Sequence, residues 1–290
     1  MRALKALAVL LLAILSAANV LADCTPRSLR LAVIPITSNE DMTQDHQALL
    51  QRLSQATGVP VELVIAASYE SVVDAIVSGG ADIARLGPAS YVLAQRREPR
   101  IEPFATFTLS AGPFTAAGNH YQALLLTRAD GPDGIDPLRG KRLALSDPAS
   151  TSGSLVPSVE FAAQVGVPLP RFFGSLVYAG NHDKALEALL DGRVDAAFVA
   201  SERADAYLAR HALAPGTLTV QWRSRPIYYD PYVFSANVCP VLKNRIRQAM
   251  LDDPGALAAF VATQDASGLV PVSQAEYEPL RQLMDAAVPR

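Results

Sequence analysis

Val72-Val73-Asp74-Ala75-Ile76-Val77-Ser78-Gly79-Gly80-Ala81-Asp82-Ile83-Ala84 and Ala185-Leu186-Glu187-Ala188-Leu189-Leu190-Asp191-Gly192-Arg193-Val194-Asp195-Ala196-Ala197 repeat one pattern at an offset of 113 residues. A repeat at fixed spacing is an architectural signal, because each copy must build the same unit. Apolar residues fall at Val72, Val73, Ile76 and Val77 in one copy and at Ala185, Leu186, Leu189 and Leu190 in the other, which is one buried face of a short helix. Gly79 and Gly192 then supply a residue that takes the left-handed conformation at little steric cost and ends a helix. A strand follows in each copy, at residues 82–86 and 195–199.

Outward from this core the echo continues. Arg30-Leu31-Ala32-Val33 matches Arg142-Leu143-Ala144-Leu145 at an offset of 112 residues. A helix is expected over 44–57, with Leu49, Leu50, Leu53 and Ala56 inward and Gly58 as its stop; its counterpart spans 152–165, with Pro157 making the first turn irregular. Strands at 61–65 and 175–178 complete two β-α-β-α-β units, which predicts α/β architecture with mixed, mostly parallel sheets. Two such units facing one another form a cleft, and open α/β sheets bind ligands beyond the carboxyl ends of their strands. Lobe 1 is expected to take residues 23–116 and 233–290, and lobe 2 residues 117–232. The chain would cross between them in a two-segment hinge near 112–122 and 222–234, with 240–290 mostly helical and packed on lobe 1.

The first 22 residues carry Arg2 and Lys5, an apolar run from Ala6 to Leu15, and small residues ending at Ala22. That pattern predicts a secretory signal peptide over 1–22, and hence a periplasmic protein. Its removal deletes two basic residues and no acidic ones, moving the formal net charge from −3 to −5. A mildly acidic surface argues against nucleic acid as a partner. About half of the chain is apolar, which is enough for two lobes with separate cores. The two cysteines, Cys24 and Cys239, meet an oxidising compartment and are expected to form a disulfide; a lipid on Cys24 or two free thiols are the alternatives. Two distant cysteines and four scattered histidines show no metal-ligand spacing, so neither metal nor cofactor is expected.

Residues 146–153, Ser-Asp-Pro-Ala-Ser-Thr-Ser-Gly, lie between a predicted strand and a helix start. A helix cap needs one hydroxyl; Ser150, Thr151 and Ser152 offer three, beside amides that a helix start leaves unpaired and where anions are favoured. The repeat also aligns Ser68-Tyr69 with Asn181-His182. Ser68 and Asn181 read as N-caps, so Tyr69 and His182 occupy equivalent first-turn positions and would approach a ligand from opposite lobes.

With Asp147-Pro148-Ala149-Ser150-Thr151-Ser152-Gly153, the Tyr69 helix with Asp82-Ile83-Ala84, Gly180-Asn181-His182, and Arg225-Pro226-Ile227-Tyr228-Tyr229-Asp230-Pro231, the chain resembles the periplasmic phosphonate-binding proteins of ABC transporters, within the phosphate/phosphite/phosphonate binding family. The resemblance runs from Arg30 to about Leu251. It implies a two-lobed type 2 binding-protein fold and a monomer. It also implies a phosphonate or phosphite-type oxyanion as ligand and an ABC permease as partner. Carried over by position, the oxyanion contacts would be Tyr69, Tyr121, Ser150, Thr151, Ser152 and His182, while Glu202 and Asp230 match the acidic residues that meet a ligand amine in aminophosphonate binders. Two carboxylates beside an anion repel it unless the ligand brings an ammonium group or a P–OH proton. Arg85 stands where an aromatic residue is common in that family, and Tyr228-Tyr229 are bulkier than its usual residues. The alternative within this family is a sensory oxyanion-binding protein, for arsenite, phosphite or phosphate, that signals to a membrane histidine kinase. A serine hydrolase is disfavoured because no Gly-x-Ser-x-Gly elbow is present.

Overall fold

A computed structural model describes Cys24 and residues 26–286; the expected signal peptide lies outside the described residues. The chain begins with β1 (Leu29–Val33), α1 (Asn39–Thr57), β2 (Val61–Ile65), α2 (Tyr69–Ser78), β3 (Ile83–Arg85), α3 (Pro88–Arg97) and β4 (Glu102–Leu109). It crosses through β5 (His120–Tyr121) to β6 (Ala123–Arg128) and β7 (Arg142–Leu145), then two π-helical stretches, Thr151–Leu155 and Pro157–Phe161. Next come α4 (Ala162–Val165), α5 (Leu169–Phe172), β8 (Ser175–Tyr178), α6 (His182–Leu190), β9 (Ala196–Ala200), α7 (Ser201–Arg210) and β10 (Leu218–Arg223). The return runs through β11 (Ile227–Tyr228) to β12 (Pro231–Phe234), α8 (Pro240–Leu251), α9 (Ala258–Thr263), β13 (Ala266–Pro271) and α10 (Glu278–Ala286).

The duplication is visible in the sheets. One has the order β13-β4-β12-β3-β1-β2 and the other β10-β6-β9-β7-β8, so β2-β1-β3 corresponds to β8-β7-β9. Those triplets are parallel, as the β-α-β reading requires. The strands added beyond them, β12, β4 and β13 in one sheet and β6 and β10 in the other, run antiparallel, which limits the expected parallel character to the repeated units. Parallel neighbours need a crossover; β6 and β12 enter from the other side of the molecule through β5 and β11, which pair with each other.

The correspondence extends to hydrogen bonds. Arg30 N–H donates to Asp82 Oδ2 at 2.8 Å, and Arg142 N–H donates to Asp195 Oδ2 at 2.9 Å. The same arginines reach the helix-ending carbonyls, Arg30 to Gly79 at 3.2 Å and Arg142 to Gly192 at 3.0 Å. Ser68 and Asn181 are the N-caps of α2 and α6, accepting from Ser71 N–H and Lys184 N–H.

The helices after β1 and β7 differ. α1 starts five residues earlier than the apolar pattern suggested, because Ser38 accepts from Asp41 N–H and caps a polar first turn. Its counterpart is not an α-helix from Ser152: only Ala162–Val165 is, and the preceding turns are π. Pro157 has no N–H to offer Gly153 O, which accepts instead from Ser146 N–H at 3.2 Å. Leu155 N–H reaches back five residues to Ser150 O at 3.0 Å, so the widened register satisfies the amides around the proline.

The expected separate cores are also corrected. One apolar cluster fills the six-stranded lobe and continues through Tyr121, Tyr229 and Val156 to Leu143, Phe161 and Phe198 on one face of the five-stranded sheet. A second, smaller cluster covers the other face, around Leu124, Leu126, Leu186 and Leu189. The two lobes are apposed, and apolar side chains at the crossing merge what length alone would leave apart. The C-terminal segment supplies helices and also β13, paired with β4 at the sheet edge. Cys24 and Cys239 are joined, with Cα atoms 5.8 Å apart, which anchors Cys24 at the start of α8 and takes the thiol that a lipid would need.

Candidate functional site

All eight expected ligand residues line one cavity of about 20 Å³ between the lobes. On the same scale a single ordered water needs roughly 10–15 Å³. Tyr69 comes from the start of α2, and Ser150, Thr151 and Ser152 from the loop-to-helix turn after β7. His182 is the first residue of α6, Glu202 lies in the first turn of α7, and Tyr121 and Asp230 sit on the crossing segments. Apart from Tyr121 and Asp230, each position opens a helix or lies in its first turn, so the cleft collects helix N-termini.

The cleft is closed by hydrogen bonds from lobe to lobe. Gly87, at the N-cap of α3, has no side chain to cap that helix; Thr151 Oγ1 accepts from Ala89 N–H at 2.9 Å and does so from across the cleft. Having accepted there, the Thr151 hydroxyl keeps its own proton to donate. Ser90 Oγ donates to Ala149 O at 2.8 Å, and Asn181 Nδ2 donates to Pro35 O at 3.2 Å. Tyr69 N–H contacts Asp147 Oδ2 at 3.4 Å, a long bond that completes the set.

His182 is fixed in one tautomer. Ala200 N–H donates to its Nδ1 at 3.3 Å, so Nδ1 is an acceptor; Ser146 Oγ, 2.7 Å away, donates to the same atom. The ring proton therefore sits on Nε2, 3.5 Å from both Ser150 Oγ and Ser152 Oγ. Burial, reinforced by the nearby Arg203 guanidinium, pushes the imidazole pKa down to about 3, which leaves a neutral N–H donor at physiological pH. Gly153 makes this possible: a Cβ there would lie 2.2 Å from Ser146 Oγ and 3.0 Å from His182 Cε1. Burial raises the Tyr69 and Tyr121 phenols above their usual range, so both remain protonated donors.

The charged residues include two that sequence reasoning did not place. Arg203 pairs with Asp183 at 3.1 Å and lines the cavity; it follows Glu202 directly, and only the position of Asp183 on α6 turns it inward. Arg85, noted as a departure from the family, is 5 % exposed and stands 3.9 Å from Asp230 Oδ2. It donates to Gln264 Oε1 at 2.7 Å and to Tyr229 Oη at 3.2 Å, and its guanidinium lies 4.9 Å from the centre of the Phe107 ring. Burial raises Asp230 to about 6 against the pull of Arg85 and Arg203. Burial and then Asp230 raise Glu202 to about 8, so Glu202 is mainly a neutral acid at pH 7; its Oε2 is buried without a hydrogen-bond partner among the described residues. The geometry presents hydroxyl, phenol and imidazole donors, with two guanidiniums beside them, to one small space between the lobes. Among the described residues no group of His, Cys, Asp or Glu is placed to hold a metal, and no helix is long and apolar enough to cross a membrane.

Comparison with known proteins gives the family and the fold. The sequence profile of a family described as "ABC transporter, phosphonate, periplasmic substrate-binding protein" matches residues 31–277. The phosphate-import protein of Mycolicibacterium smegmatis is 27% identical, over 91% of this chain and 87% of its own length. A Pseudomonas aeruginosa binding protein of an ABC phosphonate transporter superposes with a TM-score of 0.79 at 23% identity, covering 89% of this chain and 86% of that one. A Prochlorococcus marinus protein solved with methylphosphonate gives 0.75 at 16% identity, covering 90% and 98%. The two structures establish the type 2 binding-protein fold. The family is one of extracytoplasmic transporter binding components, not enzymes, whose partners are a small ligand and a membrane permease. On the extent of the profile match, this chain belongs to the family of periplasmic substrate-binding proteins of phosphonate ABC transporters.

Proposed function

We propose that the protein captures a phosphonate or phosphite-type oxyanion in the cleft between its lobes and delivers it to an ABC importer. The observation that carries this reading is the convergence of Thr151, Ser152, Tyr69, Tyr121 and the His182 Nε2–H on one small cavity. Donors of this kind, lining one small cavity, suit the oxygens of a tetrahedral anion. In this reading residues 1–22 direct export. Lobes 23–116 with 233–290 and 117–232 close as a monomer about the crossing segments where β5 pairs with β11.

Calorimetric titration of the mature protein with methylphosphonate, phosphite and phosphate tests the assignment. A hydrogen bond to a charged ligand is worth roughly 1.5–3 kcal/mol, so Thr151→Ala should weaken binding about ten- to a hundredfold. An unchanged dissociation constant in a folded Thr151→Ala protein would reduce Thr151 to the cap of α3 and defeat the reading of the hydroxyl cluster.

A further inference from the structure

We infer that Arg85 is a built-in counter-cation for Asp230, which makes the cleft selective for small phosphorus oxyanions without an ammonium group and adverse to aminoalkyl phosphonates. The inference rests on the oxyanion reading above and reverses one part of the family comparison, in which Glu202 and Asp230 would receive a ligand amine.

An ammonium group needs an anion that is not already neutralised. Asp230 has Arg85 beside it at 3.9 Å, and the guanidinium cannot easily move aside: Gln264 and Tyr229 hold its two terminal nitrogens and the Phe107 ring lies against it. Of two further carboxylates near the cavity, Asp183 is held by both Arg203 and Arg210, and Asp147, which does not line it, accepts from the N–H groups of Ala149 and Tyr69. Glu202 faces the same space, and its burial beside Asp230 keeps the proton on. An entering ammonium would therefore meet two guanidiniums and, among the residues lining the cavity, no unpaired negative charge. Like charges that are both removed from water repel strongly, and little solvent remains in a cavity of about 20 Å³ to screen them. For an anion the same charges are favourable. Arg85 Nε and Arg203 Nε are both buried without a partner among the described residues, and a protonated Glu202 can donate instead of repelling.

The internal repeat identifies the position as a place of divergence. At the repeat offset Arg85 aligns with Phe198, which follows Asp195-Ala196-Ala197 as Arg85 follows Asp82-Ile83-Ala84. Phe198 packs among Phe161, Phe173 and Trp222 as an ordinary core residue. A cation in the first copy is therefore not required by the unit itself.

The test is calorimetry at pH 7 with methylphosphonate and 2-aminoethylphosphonate on the wild type, Arg85→Gln and Arg85→Phe, each checked for folding by thermal melting. The wild type should prefer methylphosphonate by about a hundredfold or more, and the variants should narrow that preference by about tenfold or more by exposing Asp230 to the amine. Equal or tighter binding of 2-aminoethylphosphonate by the wild type overturns the inference and leaves the oxyanion reading standing. If no phosphorus anion binds, the oxyanion reading itself fails, and the inference with it. Variants that fold but leave the ratio unchanged also overturn it, and should both fail to fold, equal or tighter binding of 2-aminoethylphosphonate by the wild type still does.

Discussion

The two repeated units carry the same anchors at one end and different chemistry at the other. At the amino ends of their strands, Arg30 with Asp82 and Arg142 with Asp195 make matching backbone and carbonyl contacts. At the carboxyl ends, the first copy follows β1 with a regular helix capped by Ser38, whereas the second follows β7 with Ser150, Thr151 and Ser152 and two π-helical stretches. The scaffold tolerated duplication without change because its hydrogen bonds are local to each unit. The binding face needed asymmetry: an anion held between lobes is surrounded by groups that differ on its two sides. Here one side supplies the hydroxyl turn and the other a helix start that this turn caps.

The sharpest way to break the contrast is at Gly153, where the second copy gives up a side chain to seat Ser146 against His182. In Gly153→Ala the new methyl would have to displace Ser146 Oγ, releasing the bond that orients the imidazole. We expect methylphosphonate affinity to fall about a hundredfold or more, with a stability loss of roughly 1–3 kcal/mol from overpacking. Gly58→Ala is the control in the first copy. Its φ of +78° strains any side chain, but no atom lies within 4 Å, so it should cost about 1 kcal/mol and leave affinity unchanged. Affinity loss of the same size in both would mean that Gly153 matters for folding alone.

A second test separates the lobes electrostatically. Glu202 is raised to about 8 by burial and Asp230, against the opposing pull of Arg203 and Arg85. A carboxyl raised in the folded state gives its full stabilisation below its unfolded pKa and loses it as pH climbs through the folded value. Between pH 5 and 8.5 the ligand-free wild type should therefore lose about 2 kcal/mol relative to Glu202→Gln, a figure reduced from the full shift for water entry at the cleft. Comparing the two proteins is essential because His182 and His46, lowered to about 3 and about 4 by burial, destabilise the fold as pH falls below the ordinary imidazole range. Denaturant titrations of both proteins across this range give the answer; parallel pH profiles would show that Glu202 ionises normally.

What could be read in advance follows the same division. The helix faces, the glycine stops, the N-caps Ser68 and Asn181 and the cavity residues Tyr69, Ser150, Thr151, Ser152 and His182 were legible because each depends on spacing within a unit or on a helix start, whereas Tyr121, Glu202 and Asp230 came only from the family resemblance. The π register was not, because it depends on Ser146 N–H taking the carbonyl of Gly153. Arg85 could be seen to be unusual, yet its partners Tyr229 and Gln264 are 144 and 179 residues away. β13 has Ser267, Gly268 and Pro271 in place of an alternating apolar pattern and exists as a strand because β4 offers an edge.

The smallest expected effect is the most direct measure of how far the duplication persists. Asp82→Ala and Asp195→Ala each remove an acceptor for a backbone N–H at the end of the sheet away from the cavity. Asp195 also accepts from the Arg142 guanidinium at 3.0 and 2.8 Å, which holds its pKa down at about 2 and keeps it ionised at any working pH. That arginine is half exposed, so water and salt screen most of the added attraction. Both variants should then cost about 1 kcal/mol, with Asp195→Ala the larger by a few tenths, and methylphosphonate should bind each as it binds the wild type. Urea unfolding in low and high salt separates the contributions: the common cost belongs to the repeated backbone bond and survives salt, while the excess at Asp195 belongs to the ion pair and shrinks. A large difference that persists in high salt would mean that the two copies no longer share their anchor, however closely their hydrogen bonds correspond.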